Sequence, residues 1–320
     1  MTRFAWRQFR LQALIAFGIL AAVVVFFTVT HPQLVDLAKL PQPDALKNRY
    51  ATYEIVARLL LVVPALIGIF WGAPLLAREL ETGTFRLAWT QSVTRRRWLA
   101  VKLALVGGAS VVVTGVLSWA VTWWSTPVDH VTLDRFSALV FSERGIVPVG
   151  YAAFAFAVGA ALGLLLRRTL PAMAATLAVF VGARLAFTQW VRPHLMVPVH
   201  ETLPLTSAAF NSAGITSPNG PLIVTVDNGI RPGAWILSDS GNAVDSAGKV
   251  VYGLGKKLAS EDITRQNFRE AIARLGLYVQ VAYQPASRYW TFQWVETGIF
   301  MGLALVLTIF SLWWVRRRLS

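Results

Sequence analysis

The sequence has no cysteine. Disulfides, thiolate metal sites and cysteine nucleophiles are excluded together. Histidine is nearly as scarce. His31, His130, His194 and His200 are scattered without a common ligand spacing, which argues against a metal site. Charge is thin as well: 14% of the residues are charged, against about 25% in an average soluble domain. No stretch matches G-x-x-x-x-G-K-[ST], the loop whose backbone N–H groups cradle phosphates. The nearest fragment, Gly253-Leu254-Gly255-Lys256-Lys257, lacks the spacing and the hydroxyl, so the chain does not bind ATP by that route. Paired carboxylates, a histidine cluster and an activated serine at a common depth are missing too, which argues against an intramembrane enzyme.

What is present is long apolar blocks. Hydrophobic residues make up 55% of the chain, and the mean hydropathy is +0.54. A helix needs about 20 apolar residues to cross the hydrocarbon. Six blocks qualify: Leu11–Thr30, Ile55–Leu76, Leu103–Trp124, Val147–Leu166, Leu170–Trp190 and Phe292–Trp314. The first is too long for a signal-peptide core and lacks a clear cleavage site, so it reads as retained. With both termini inside, the inner segments hold 14 basic residues and two acids, while the outer segments hold 14 basic residues and 13 acids. The formal charge of +14 thus falls almost wholly on the inner face. A basic inner rim facing anionic lipid explains it and makes nucleic acid a poor partner. Trp6, Trp71, Trp123, Trp124, Trp190, Trp290, Trp294, Trp313 and Trp314 fall near span ends, as interface anchors do.

Three charges lie within spans: Arg58, Arg184 and Glu296. A carrier driven by an ion gradient usually needs a carboxylate deep in the membrane. Glu296 is near the outer edge, which argues against such a carrier. Arg184 is the deepest charge, about 21 Å along the helix from Leu170. It either faces the bundle, pairing with Glu296 or lining a path, or snorkels to the headgroups. Small residues in spans four and five, Gly159, Ala160, Ala161 and Gly163 with Ala172, Ala174 and Ala175, allow close helix approach. Arg167-Arg168-Thr169 leaves almost no loop between those spans, and Pro171 suits a first helical turn.

The blocks divide the chain into 1–190, with an N-terminal stretch and spans one to five; 191–291, an outer domain; and 292–320, span six and a basic tail. In the N-terminal stretch, Arg3, Arg7 and Arg10 share one helical face, which fits an interfacial helix or a basic flank that sets topology. The segment from Val191 to Thr291 is too long for a plain connection. Leu222–Val226 and Ala234–Leu237 have strand character, with turns at Asp227–Gly229 and Asp239–Gly241, and WILSDSGNAVDSAGKVVYGL reads as a hairpin-like pair of strands around a polar turn. SEDITRQNFREAIARLGL reads as a helix. The expected fold is an all-α membrane protein with six transmembrane helices, an N-terminal interfacial helix and a small α/β extracellular domain between spans five and six.

The inner loop between spans two and three, Ala77 to Lys102, is longer than a turn requires. Glu79 and Glu81 are the only inner acids. Gly83 suits the left-handed end of a helix, and Thr84 can cap a short new helix through Trp89. Such a helix fits a docking point for a cytoplasmic partner or a plain interfacial anchor. The run ELETGTFRLAWTQSVTRRRW resembles the inner loop of type-2 ABC exporter permeases, actinobacterial ones in particular. YQPASRYWTFQWVETGIF followed by WWVRRR is similar to the same group, as is the six-span layout. The resemblance implies a permease subunit of an exporter in the cell membrane, working as two copies of the chain. It implies a coupling helix at Thr84–Gln91, with Glu79, Glu81, Gly83, Thr84, Phe85, Arg86, Leu87, Trp89, Thr90 and Gln91 at the docking site of an ABC ATPase subunit, itself present in two copies. This chain then needs no cofactor, and ATP and Mg belong to the ATPase. The outer domain is larger than the short outer helices of many relatives. A membrane sensor or assembly factor, with a ligand-binding outer domain, is the alternative.

Overall fold

The computed structural model describes residues 2–39, 55, 58, 60–83, 94–132, 135–205, 210–215, 220–226, 233–238, 240–253, 270 and 274–318. The chain forms two compact units: Met1–Val131, Ala138–Arg192 and Thr291–Ser320 make one, and Thr132–Ser137 with Pro193–Trp290 make the other.

The first unit is helical. Helix α1 runs over Thr2–Ala38. The expected interfacial helix is not a separate element, because residues 9 to 16 contain no proline, glycine or capping side chain to break it. The second span is composite: a 3₁₀ turn Leu60–Val62, α2 Val63–Ile67, a π turn Gly68–Gly72 and α3 Ala73–Thr82. Pro74 lacks the N–H that would continue the ladder, which gives the widened turn before it a local cause. Gly83 ends α3 in the left-handed region, at φ 72°. There follow α4 Arg95–Thr132, α5 Ala138–Glu143, α6 Val147–Leu166 and α7 Thr169–Ala186. α7 continues through a π turn Phe187–Val191 and a 3₁₀ turn Arg192–His194. The last helix is α8, Tyr289–Arg318. Among the described residues six helices are long and apolar enough to cross a membrane: Leu14–Asp36, Leu60–Thr82, Arg96–Pro127, Val147–Leu166, Thr169–His194 and Ala286–Arg317. Each overlaps one of the six apolar blocks.

α6 is the hub. Its apolar stretch is 72% buried, against 17% for the first and fifth spans. Glycine makes this possible. A Cβ at Gly159 would lie 2.4 Å from the Gly68 carbonyl oxygen, and one at Gly163 would lie 2.4 Å from that of Ala73. The small residues of α6 therefore bring its backbone against span two, while Ala172 of α7 meets Ala73 and Ala77. The turn between α6 and α7 is tight: Arg167 takes a left-handed conformation at φ 53° and Arg168 is extended. Two tryptophans depart from the anchor expectation. Trp71 and Trp124 are buried in helical cores, and Trp124 Nε1 donates to Thr30 Oγ1 at 2.9 Å. Trp190, Trp290, Trp294 and Trp313 are exposed, as anchors require.

The second unit holds an antiparallel sheet. Its strands are β1 Val199–Pro204, β2 Phe210–Ile215, β3 Leu222–Val226, β4 Trp235–Ile236, β5 Ser240–Val244 and β6 Tyr278–Gln284. The order is β1-β6-β5-β3-β2, with β4 also on β6. Alternation on β6 turns Val279, Val281 and Tyr283 into a core with Leu203, Val224 and Ala243. Within the expected hairpin, the polar turn is Asp245–Gly248: Asp245 Oδ1 accepts from Ala247 N and Lys249 N, each at 2.9 Å. The strand at Trp235 pairs with β6 instead of across that turn, and Ser240 and Gly241 belong to β5 where a turn was expected. Strand pairing with distant β6 outweighs the local Gly signal there. The turn at Asp227–Gly229 and most of the helix expected in SEDITRQNFREAIARLGL lie outside the described residues. Phe136, from the segment between α4 and α5, stacks on Trp235 in this unit at 5.9 Å.

Candidate functional site

Two polar clusters stand out in the helical unit, at opposite ends of α6. The first is the root of the loop between spans two and three. Glu79, on α3, forms an ion pair with Lys102 of α4, and both side chains are largely buried. The Lys102 ammonium also lies 4.7 Å from the Trp98 ring centroid. Glu81, half a turn on, reaches a different helix. Its Oε2 accepts from Thr169 N at 3.0 Å and from Thr169 Oγ1 at 2.7 Å. A carboxylate there satisfies an orphan N–H and sits at the positive end of the α7 dipole. The two acids therefore fasten the end of span two to the start of span three and to the start of span five. Gly83 directly follows. Thr84, Phe85, Arg86, Leu87, Trp89, Thr90 and Gln91 lie outside the described residues.

The second cluster is fully desolvated. Arg192 grips Glu296 of α8 through two parallel bonds: Nε donates to Oε2 and Nη2 to Oε1, each at 2.8 Å. Tyr151 of α6 donates its hydroxyl to the same Oε1. Arg192 Nη2 also donates to Tyr151 Oη at 3.0 Å and to Ser142 Oγ at 3.2 Å, and its guanidinium lies 4.4 Å from the Phe141 ring centroid. Relative exposures are 1% for Arg192 and Tyr151 and 0% for Glu296, so water does not complete this network. Next to it Gln293 Oε1 accepts from Ile146 N and Val147 N, each at 3.0 Å, and its Nε2 donates to Phe141 O at 3.1 Å. That arrangement needs Gly145, where a Cβ would meet Gln293 Oε1 at 2.6 Å. Spans four, five and six and α5 are thus joined by side chains at one point.

This corrects the partner expected for Glu296. It is Arg192, not Arg184, that neutralises it. Sequence reading placed Arg192 beyond the fifth span. The π turn Phe187–Val191 and the 3₁₀ turn after it prolong the helix and swing Arg192 inward. Glu143 and Arg144, between the third and fourth apolar blocks, are buried, with Arg144 Nε 3.7 Å from Glu143 Oε1. Arg184 lies over the Tyr151 ring, 4.2 Å from its centroid. Arg58 is exposed, just before the 3₁₀ turn that opens span two.

The wall along the N-terminal half of α1 is apolar. A crevice of about 400 Å³ opens between α1, span two and α4, lined by Ile15, Ile19, Leu66, Phe70, Val113 and Leu117 among others.

A model of the family described as ABC-2 membrane transporter related matches residues 17–192. No curated protein and no solved structure matches the chain.

Proposed function

The chain belongs to the ABC-2 membrane transporter related family, and from that premise we propose that it is the permease subunit of an ATP-driven exporter. As a family member it is a permease component of an ABC transporter, an integral membrane protein that works with an ABC ATPase. The reading here is more specific. Two copies of the chain enclose the path, in the cell membrane, with both termini cytoplasmic and the sheet unit outside. Two ATPase subunits, carrying ATP and Mg, dock on Thr84–Gln91.

The observation that carries this is the construction of the loop root. Glu79 ties α3 to α4, and Glu81 ties α3 to α7. A push on the loop is then delivered to spans two, three and five together instead of being absorbed by a slack linker. ATP-driven closure of the ATPases moves the docked helices and shifts the population of outward-facing spans. The apolar crevice and the aromatic-rich walls favour an amphipathic or hydrophobic cargo.

The test is capture of the chain from its native membrane in mild detergent, with cross-linking through Thr84–Gln91. A soluble ATPase at one copy per permease is the expected partner. Arg86→Glu should abolish that co-purification while membrane insertion stays intact. If the ATPase still accompanies the variant at full yield, the docking assignment fails. If no ATPase is captured from the wild type, the sensor reading takes its place.

A further inference from the structure

Arg184 is the charge that the network around Glu296 leaves over. Glu296 is matched one to one by Arg192. Arg184 therefore adds one positive charge at membrane depth, in the apolar stretch Thr169–His194. Such a charge is costly there without a partner.

Its placement excludes simple snorkelling. Phe180 and Phe187, four residues before it and three after, are both buried, so Arg184 is on the inward stripe of the helix. Val181 and Leu185 on the other side are exposed. A snorkelling side chain would carry the guanidinium off to the headgroups. Here it lies over Tyr151, whose ring is itself fixed edge-on against Phe300 at 4.9 Å and whose hydroxyl is held in the Arg192 and Glu296 network. Among the described residues the guanidinium forms no hydrogen bond or ion pair beyond that ring contact. A contact with a ring occupies no hydrogen-bond acceptor, so the N–H donors of the guanidinium remain for a ligand. The chemistry that fits a fixed guanidinium edge is an oxyanion accepting two parallel N–H bonds.

We propose that Arg184, seated on Tyr151, is a binding position for the anionic group, phosphate or carboxylate, of an amphipathic molecule that reaches it from the bilayer. The Arg192–Glu296 pair is the support that fixes the Tyr151 ring, and Arg184 is the group that touches the ligand. The position stands whether or not an ATPase docks on the inner loop. Its failure is therefore distinct from failure of the exporter reading.

The test is native mass spectrometry of the full-length chain in detergent, titrated with phosphatidylglycerol in one arm and oleate in the other, with phosphatidylcholine as reference. One saturable equivalent of an anionic probe is expected on the wild type. Arg184→Leu should weaken it about tenfold or more, the worth of a charge-assisted hydrogen bond. Arg58→Leu, which removes a charge elsewhere in the helical unit, should leave it unchanged. A loss confined to phosphatidylglycerol assigns the site to a bilayer lipid; a loss in the oleate arm assigns it to a free amphiphile. Where Arg184→Leu does not fold, Arg184→Gln is read in the same way. The proposal is overturned if neither probe binds saturably, or if the folded variant binds both as tightly as the wild type.

Discussion

The two ends of α6 hold charge in different ways. At the loop root, a single ion pair joins Glu79 to Lys102, and Glu81 contacts a helix start from an exposed position. At the other end Arg192 and Glu296 share two bonds inside a shell of Tyr151, Ser142 and Phe141, with no exposure to water. Tyr151 and Arg167 are 16 positions apart, which is about 24 Å along a helix. The difference teaches what each end can do. The contacts near the loop, closer to water, pass a partner's push on to the three spans they tie. A desolvated, doubly bonded contact holds three spans as one piece, because separating its charges without water is too costly.

The largest effect should follow from breaking the desolvated end. Arg192→Leu leaves Glu296 buried without its counterion, a change worth about 3–5 kcal/mol of stability. Thermal unfolding of the purified chain in detergent would register it, as would loss of folded yield. The double change Arg192→Leu with Glu296→Leu should recover most of the loss, because the charge that made the single change costly is gone. A double variant as unstable as the single would mean that the bonds to Tyr151 and Ser142, not the charge balance, hold this end together.

Glu79→Gln should cost less, about 1–2 kcal/mol, between the values for exposed and for fully buried pairs. A cycle with Lys102→Met measures the coupling between the two side chains. A coupling as large as that between Arg192 and Glu296 would erase the contrast between the two ends.

Much of this was legible beforehand. Six apolar blocks give six membrane-capable helices because a continuous run of about 20 apolar residues has few other uses. The strand at Leu222–Val226 and the helix end at Gly83 were set by local chemistry that a sequence displays. The ion network was not legible. Arg192 lies after the apolar block, and the π turn that carries it inward leaves no pattern in FTQWV. Glu143 and Arg144 are adjacent opposite charges, which in sequence look like any polar loop. Burial by distant helices decides their state, and periodicity does not report it. The same holds for β4, whose partner is β6 and not its neighbour in the chain. On the loop, the residues singled out as the docking helix lie outside the described residues, while Glu79 and Glu81 acquire definite partners that the sequence did not name.

Glu81→Gln should have the smallest effect on stability. The carboxylate is exposed, and glutamine keeps an acceptor for Thr169 N while losing the charge that favours the start of α7. Thermal unfolding should shift less than for Glu79→Gln, and in the same direction. Added salt should shrink the difference from the wild type, because screening weakens a charge exposed to solvent but leaves a neutral hydrogen bond in place. A shift larger than that of Glu79→Gln, unaffected by salt, would make Glu81 and not Glu79 the main fastening of the loop. Force on the loop would then pass chiefly to span five, and the contrast between the two ends of α6 would have to be drawn through α7.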